Sequence, residues 1–373
     1  MRIGINARFL LSNKMEGFGW FTYEVVKRIT VQHPEHEFIL FFDRKYDSKF
    51  IFAQNVKPVV LNPQARHPIL FKIWFNFSIT RALKKYKIDL FFSPDGYLSL
   101  ITDVKQIAVM HDIYFEHYSN DLKKRDFNYL HKYFPKFAEK ADRIITVSEF
   151  SKMDIVKMYG VSPEKIDVAY NGASDEFSPI SDENAISTRA KWSNDCPYFL
   201  FVGALQPRKN LGRLLQAFDS FKVETSSNYK LLIVGEAYFW SEEMKKVYAE
   251  MKHKEDVIFC GHIQKETLVE LMGAAEALTF VSYYEGFGIP IVEAMKCGCP
   301  VLVGNQTASP EIAGEAALIC NPFDVETIKE ALIQLSSDEK LKEKLSIKGL
   351  QRAQLFNWDN TANSVWKSIA SIL

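Results

Sequence analysis

Apolar residues recur along this chain in two rhythms. Short runs rich in Val, Ile, Leu and Phe read as buried strands; longer stretches with apolar residues every three or four positions read as amphipathic helices. In the first half the strand pattern falls at 2–7, 38–42, 89–93, 106–111, 143–148 and 166–170. Helical patterns lie between them at 19–32, 69–87, 122–140 and 149–159, the last followed by Gly160 as its C-cap. Such alternation predicts stacked βα units on a parallel sheet.

The rhythm lapses in "GASDEFSPISDENAISTRAKWSNDCP" (172–197), which is polar, interrupted by prolines and reads as a linker with an approach helix. It restarts with strand patterns at 198–203, 230–235, 257–261, 277–282 and 300–305. The expected fold class is therefore α/β: two doubly wound parallel-sheet domains facing a cleft, the first ending at 178. In such sheets ligands bind beyond the C-terminal strand ends, which is where candidate chemistry is sought.

Length and composition agree with this picture. A chain of 373 residues is long for one core, and 47% apolar with 25% charged residues is ordinary for a globular protein. Basic and acidic residues balance at 46 each, so no nucleic-acid partner is expected. The halves differ mildly: 26 basic against 21 acidic residues through Ser178, then 20 against 25. Five cysteines (Cys196, Cys260, Cys297, Cys299, Cys320) form an odd, sparse set suited to a reducing compartment. Cys297 and Cys299 lack a second ligand pair at zinc spacing, so no metal site is expected. Met1-Arg2 leads straight into "IGINA", without a signal-peptide apolar region. No apolar run approaches the ~18–20 residues of a spanning helix, and a cytoplasmic location is expected.

Several strand ends carry unusual residues. "EGFGWFTYEVV" (16–26) opens a helix with Gly17 and Gly19, and glycines there let backbone N–H groups approach an anion. A tight turn needing glycine only for conformation fits equally well. The dinucleotide fingerprint asks for a third glycine where this chain has Thr22. "VMHDIYF" places His111 at a strand end, able to exchange a hydrogen bond with a substrate hydroxyl, though a lone histidine is commonly structural. "VGALQPRKNL" (202–211) sets Arg208 and Lys209 just before a helix, where two cations suit a diphosphate or form a solvated pair. The densest stretch is "YYEGFGIPIVEAM" (283–295): Glu285 in a turn, Pro290 at the first helical position, and Glu293 in the first helical turn. The macrodipole accounts for Glu293 but not for Glu285.

Together these residues resemble the retaining glycosyltransferases of family 4, of GT-B fold. The resemblance spans nearly the whole chain: "EGFGIPIVE" as the E-x7-E signature, "PRKNL", "EGFG" at 16–19, "HD" at 111–112, "TVSEFSK", "YNG" at 170–172 and "SPEIAGEAAL". It implies two Rossmann-like domains, with residues 1–178 binding the acceptor and 179–355 the nucleotide sugar. The closing segment 356–373 would be a C-terminal helix packing back on the first domain. Carried over by position, it implies that Arg208 and Lys209 bind the diphosphate and neutralise the leaving group. Glu293 would hold the ribose hydroxyls; Glu285, Gly286, Phe287, Gly288 and Ile289 would position the sugar and phosphate. Gly203 belongs to the strand-end turn, His262 and Ile263 would line the base pocket, Gly17 and Gly19 would close over the phosphates or acceptor, and His111 would contact the donor sugar. Many members carry a basic residue after the strand-end glycine, where this chain has Ala204, so that role would pass to Arg208. No metal or other cofactor is implied, and no Asp-x-Asp occurs. The implied chemistry is hexosyl transfer with retention, GDP-mannose being the first donor to try and UDP- or dTDP-sugars the alternatives. The acceptor would be a glycan or a lipid-linked saccharide.

From Arg66 to Lys87 the chain has six Lys or Arg, no acid, and Trp74, Phe75 and Phe77. This segment reads either as a peripheral membrane contact or as a first-domain helix that buries its aromatics. Among other classes, an NAD-dependent oxidoreductase lacks the third glycine, and its acidic residue would be Asp43. A non-catalytic sugar binder is disfavoured by the intact set Glu285, Glu293, Lys209 and His111.

Overall fold

The central strand-forming runs are buried on both faces, as parallel strands flanked by helices require: "FILFF" (38–42) is buried throughout. A computed structural model describes residues 1–12, 15, 17–236 and 242–373. Two compact units result, one of Met1–Asn171 with Trp358–Leu373, the other of Gly172–Asn357.

In the first unit the strands are β1 (Arg2–Asn6), β2 (Glu37–Phe42), β3 (Val56–Val60), β4 (Leu90–Ser93), β5 (Lys105–Val109), β6 (Arg143–Thr146) and β7 (Ile166–Val168). They form a parallel sheet ordered β3-β2-β1-β4-β5-β6-β7, in which Ile5 is flanked by Leu40 and Phe92. The chain direction across the sheet reverses between β1 and β4. Helix Trp358–Ala370 packs on this unit through Arg28 to Asp359 (2.6 Å) and a stacked His33–Trp366 pair at 3.6 Å.

The second unit holds β8 (Tyr198–Val202), β9 (Lys230–Val234), β10 (Val257–Gly261), β11 (Ala277–Phe280), β12 (Val301–Gly304) and β13 (Ala317–Cys320), ordered β10-β9-β8-β11-β12-β13. Its reversal falls between β8 and β11. This is the 3-2-1-4-5-6 order of a doubly wound nucleotide-binding sheet. The core is packed by Phe199, Leu214, Phe218, Ile233 and Leu332. Residues 172–175 are held in this unit: Ala173 N–H donates to the Phe356 carbonyl (3.3 Å), and Lys296 Nζ reaches Ser174 O (3.1 Å) and Asp175 Oδ1 (2.8 Å).

Two expectations need correction. Segment 69–87 is not one regular helix: Pro68–Ile73 and Thr80–Lys85 flank a π-helical turn, Trp74–Ile79. Trp74, Phe75 and Ile79 of this wider i→i+5 turn are all buried in the core. Second, helix Ile289–Lys296 starts one residue before Pro290, so Glu293 is its fifth residue and lies beyond the first turn.

Candidate active site

In the first unit Gly17 and Gly19 follow β1 and His111 follows β5; in the second, the cationic turn and Glu285 lie where the strand order reverses. In the second unit two loops meet there, 203–210 after β8 and 281–288 after β11. A hydrogen bond from Tyr283 N–H to the Arg208 carbonyl (3.0 Å) joins them. The "PRK" of "PRKNL" is a 3-10 turn, and Asn210 closes it with φ 62°, then caps the helix Leu211–Thr225. Buried Asn210 also donates through Nδ2 to the carbonyls of Val281 (3.0 Å) and Pro322 (2.5 Å). The asparagine thus fixes the cationic turn to both neighbouring loops, a role that its side-chain type alone does not announce.

Glu285 is buried at the centre of this arrangement. Its Oε2 accepts from Arg208 Nη1 and its Oε1 from Lys209 Nζ, each at 2.7 Å. Arg208 also donates to the Tyr284 carbonyl (3.2 Å), and the Lys209 ammonium lies 4.7 Å from the centre of the Phe280 ring. Burial alone would raise the Glu285 pKa, but the charges of Arg208 and Lys209 outweigh it and hold the carboxyl below its ordinary range. The backbone N–H of Glu285 donates to Thr307 Oγ1 (3.0 Å). Thr307 itself has φ 59°, a conformation costly for a β-branched residue and typical of sites held by their surroundings. Nothing in the sequence reading pointed to Thr307; only its position in "GNQTASPEI", just ahead of "SPEI", offered a signal.

Gly286, Phe287 and Gly288 are buried in the same loop, with Phe287 packed edge-on against Phe356 at 5.6 Å. Gly288 takes φ 98° as the N-cap, and a Cβ there would lie 2.8 Å from Ile291 Cδ1, so glycine is required. Ile289 follows as the first helical residue, half-buried. The Glu293 side chain, one turn further, makes no hydrogen bond or ion pair among the described residues, and desolvation pushes its carboxyl up to about 7 against a weaker opposing pull from Lys265. The two glutamates of the signature therefore occupy opposite electrostatic environments.

Gly203 ends β8 and Ala204 beside it is exposed, so the cations on this turn are Arg208 and Lys209. His262 is exposed and Ile263 half-buried in the loop after β10, next to Gly261, whose carbonyl accepts from Gly235 N–H (2.9 Å). Cys297 and Cys299 are buried free thiols.

In the first unit His111 follows β5. Its Nε2–H donates to the Pro94 carbonyl (2.9 Å), which leaves Nδ1 as an acceptor, and the rings of Phe18 and Phe21 lie 4.6 and 4.9 Å away. Burial lowers its pKa, with the Pro94 carbonyl, Asp112 and Asp95 opposing, so the imidazole is neutral near pH 7. A Cβ on Gly19 would meet the Phe9 carbonyl at 2.9 Å, whereas one on Gly17 would meet nothing within 4 Å. Close helix packing thus accounts for Gly19, and Gly17 opens onto free space. Glu16 of the same stretch lies outside the described residues.

Two doubly wound parallel-sheet units are the GT-B architecture of glycosyltransferases. Comparison with known proteins supplies the family. The model described as "Glycosyl transferases group 1" matches residues 182–352, and that described as "Glycosyltransferase Family 4" matches 17–177. O-antigen chain mannosyltransferase B of Escherichia coli is 28% identical over 361 residues, covering 93% of both chains. O-antigen chain mannosyltransferase RfbU of Salmonella typhimurium is 31% identical over 228 residues, 61% of this chain and 60% of its own. Among solved structures, Anabaena HepE in complex with UDP-glucose matches with TM-score 0.78 at 18% identity, covering 100% of both chains. The chain belongs to the group 1 glycosyltransferases of family 4, and its activity is that of a hexosyltransferase.

Proposed function

We propose that this chain transfers a mannosyl group from GDP-mannose, with retention at the anomeric carbon, to a glycan or lipid-linked saccharide in polysaccharide assembly. The observation that carries this reading is the Arg208–Glu285–Lys209 cluster at the β8/β11 reversal: two cations at 2.7 Å from one buried carboxylate. The names of the two O-antigen mannosyltransferases favour mannose. A UDP-sugar is the second reading, favoured by the UDP-glucose that HepE holds.

In this reading the 203–210 turn receives the diphosphate. Arg208 and Lys209 stabilise the charge that develops on it as the glycosidic C–O bond breaks, and Glu285 keeps both cations aimed and desolvated. Among the described residues the Glu293 side chain has no hydrogen-bond or ion-pair partner to give up, and it accepts from the ribose hydroxyls. Gly286 to Ile289 supply backbone donors at a helix start, and His262 with Ile263 flanks the base. The acceptor hydroxyl attacks on the face the diphosphate leaves; its proton passes to a leaving phosphate oxygen, and the new C–O bond replaces the old one on that face. His111, held neutral, contributes an Nδ1 acceptor on the sugar side, and the Gly17–Gly19 helix start serves the acceptor side. The reading requires no metal.

The first unit carries a second feature relevant to a lipid-linked acceptor. Ile69, Ile73 and Phe77 are exposed at four-residue spacing, with exposed Lys72, Arg81, Lys84 and Lys85 on the same segment. An apolar stripe among cations suits peripheral contact with an anionic membrane. Among the described residues no helix is long and apolar enough to cross a membrane.

The deciding experiment is a thermal-shift panel of GDP-, UDP- and dTDP-sugars, followed by transfer with the stabilising donor and NMR of the product anomer. Stabilisation by GDP-mannose and an α-linked product are expected. Stabilisation by no nucleotide, or an inverted product, refutes the reading.

A further inference from the structure

Where the first sheet reverses, a cavity of about 230 Å³ opens that none of the candidate site residues above lines. Its walls come from the helix Pro68–Ile73, the loop after β4 and the helix Lys124–Lys140. Three rings form the floor. Tyr97 and Tyr129 lie nearly parallel at 6.1 Å (22°), and Phe71 is tilted against them at 5.4 and 5.8 Å. Behind the floor, the Arg8 guanidinium sits 4.5 Å from the Tyr97 ring and 4.9 Å from Phe71, and is paired with buried Asp95 at 2.6 Å. Arg8 is therefore a fixed support for the rings, already neutralised, and not a ligand-binding cation.

Two features point outward from this floor. Tyr129 is only 8% exposed, lines the cavity, and its hydroxyl makes no hydrogen bond among the described residues. The oxygen itself is not sealed off, so a ligand or water in the cavity can hydrogen-bond to it. At the mouth stand Arg66 and Arg125, both exposed, with Asp126 as the one acid. Arg66 forms no ion pair among the described residues, and Arg125 has the 3.3 Å contact to Asp126, so the rim carries a net positive charge.

We propose that this cavity is a saccharide subsite that takes one phosphorylated hexose, the ring on Phe71, Tyr97 and Tyr129 and the phosphate between Arg66 and Arg125. A pyranose pairs an apolar C–H face with a polar edge, which matches an aromatic floor carrying the Tyr129 hydroxyl. The volume lies below the ~300–1,000 Å³ of sites for drug-sized ligands and suits a single ring. Arginine is the side chain suited to a phosphate at a solvent-facing rim. The role of this sugar as part of the acceptor rests on the transferase reading above; the site itself does not.

The test is calorimetric titration of the full chain with α-D-mannose 1-phosphate, methyl α-D-mannoside and inorganic phosphate, with GDP titrated into the same wild-type protein. The sugar phosphate is expected to bind more tightly than either of its parts. Arg66→Gln with Arg125→Gln should weaken it roughly 10-fold or more, to the level of the methyl mannoside. Tyr129→Phe, which keeps the ring and the packing, should weaken both sugars about 3- to 10-fold. The proposal is overturned if mannose 1-phosphate does not bind, if inorganic phosphate binds equally well, or if the variants leave its affinity unchanged. Binding of GDP without the sugar phosphate sinks the subsite and spares the transferase reading; the converse does the opposite.

Discussion

Glu285→Gln isolates the charge at the centre of the cationic cluster while keeping its shape. Glutamine fills the same space and still offers one oxygen, so what is lost is the ionic part of two bonds, to Arg208 Nη1 and Lys209 Nζ at 2.7 Å each. A hydrogen bond to a charged group contributes ~1.5–3 kcal/mol and a neutral one ~0.5–1.5, a difference of about 1 kcal/mol per bond. Arg208 and Lys209 side chains are 21% and 11% exposed, so water screens part of this, and the two-bond total is about 2 kcal/mol at most. For a unit of this size, that lowers Tm by about 4–8 °C. The sign with pH is fixed by the direction of the shift. Glu285 titrates below its ordinary 4.5 in the folded protein, so its contribution is complete above that value and disappears as pH falls through the folded pKa. Differential scanning calorimetry of wild type and variant should therefore show a constant gap from about pH 8 to 5.5 and a closing gap below about 4.5. Equal Tm values at pH 7, or a gap that persists undiminished in acid, would refute the ion-pair account.

In the proposed reading Lys209→Ala removes one of the two cations that face the leaving diphosphate, and turnover with GDP-mannose should fall by about 10²-fold or more, read as kcat in a transfer assay; near-normal turnover sinks its role. Glu293 has a folded pKa raised to about 7, so the native state keeps a proton that the unfolded chain loses near 4.5, and stability declines as pH rises between those values. Glu293→Gln should accordingly gain Tm over wild type above pH 7 but not below about 4.5. GDP affinity of the wild type should tighten as pH rises through about 7, with a flat profile in the variant; parallel profiles would remove Glu293 from the ribose site. Phe77→Glu should abolish co-sedimentation with vesicles of phosphatidylcholine and phosphatidylglycerol at physiological salt, and an absence of binding by the wild type itself would end the membrane reading.

The central strands of both sheets were legible because each is a continuous apolar run. β3 and β13 were not, and both lie at sheet edges. β3, "VKPVV", carries Pro58 and alternates with exposed positions, and β13, "ALIC", leaves Ile319 about half-exposed (47%). An edge strand buries one face less, so the pattern that announces a central strand is missing. The π turn at Trp74–Ile79 was hidden for a different reason: its aromatics satisfy a helical period approximately, and only the packing of Trp74 against the Leu61 carbonyl (3.2 Å) and of Phe75 against Tyr97 selects the wider turn. At the site, the charged residues announced themselves, but the residues that aim them did not. Asn210 acts through backbone conformation and hydrogen bonds to two neighbouring loops, Thr307 through backbone conformation and one, and nothing in residue type separates them from other loop polars.

The signature glutamates show what spacing conveys and what only environment decides. Eight residues apart, across a Gly-Phe-Gly turn, they are the same residue type on one short segment, and the sequence makes them look like partners. The turn sends one into the gap between two cations and the other onto a helix where the pull of Lys265 is weaker than desolvation. Desolvation acts on both. For Glu285 it is overcome, and the carboxylate is ionised throughout the neutral range; for Glu293 it prevails, and the group is poised near pH 7. Two carboxyls whose environments drive their pKa values apart are suited to different tasks. Here neither task is proton transfer at the reacting carbon: Glu285 is already committed to Arg208 and Lys209, and Glu293 is left with acceptor capacity that a pair of vicinal hydroxyls can use.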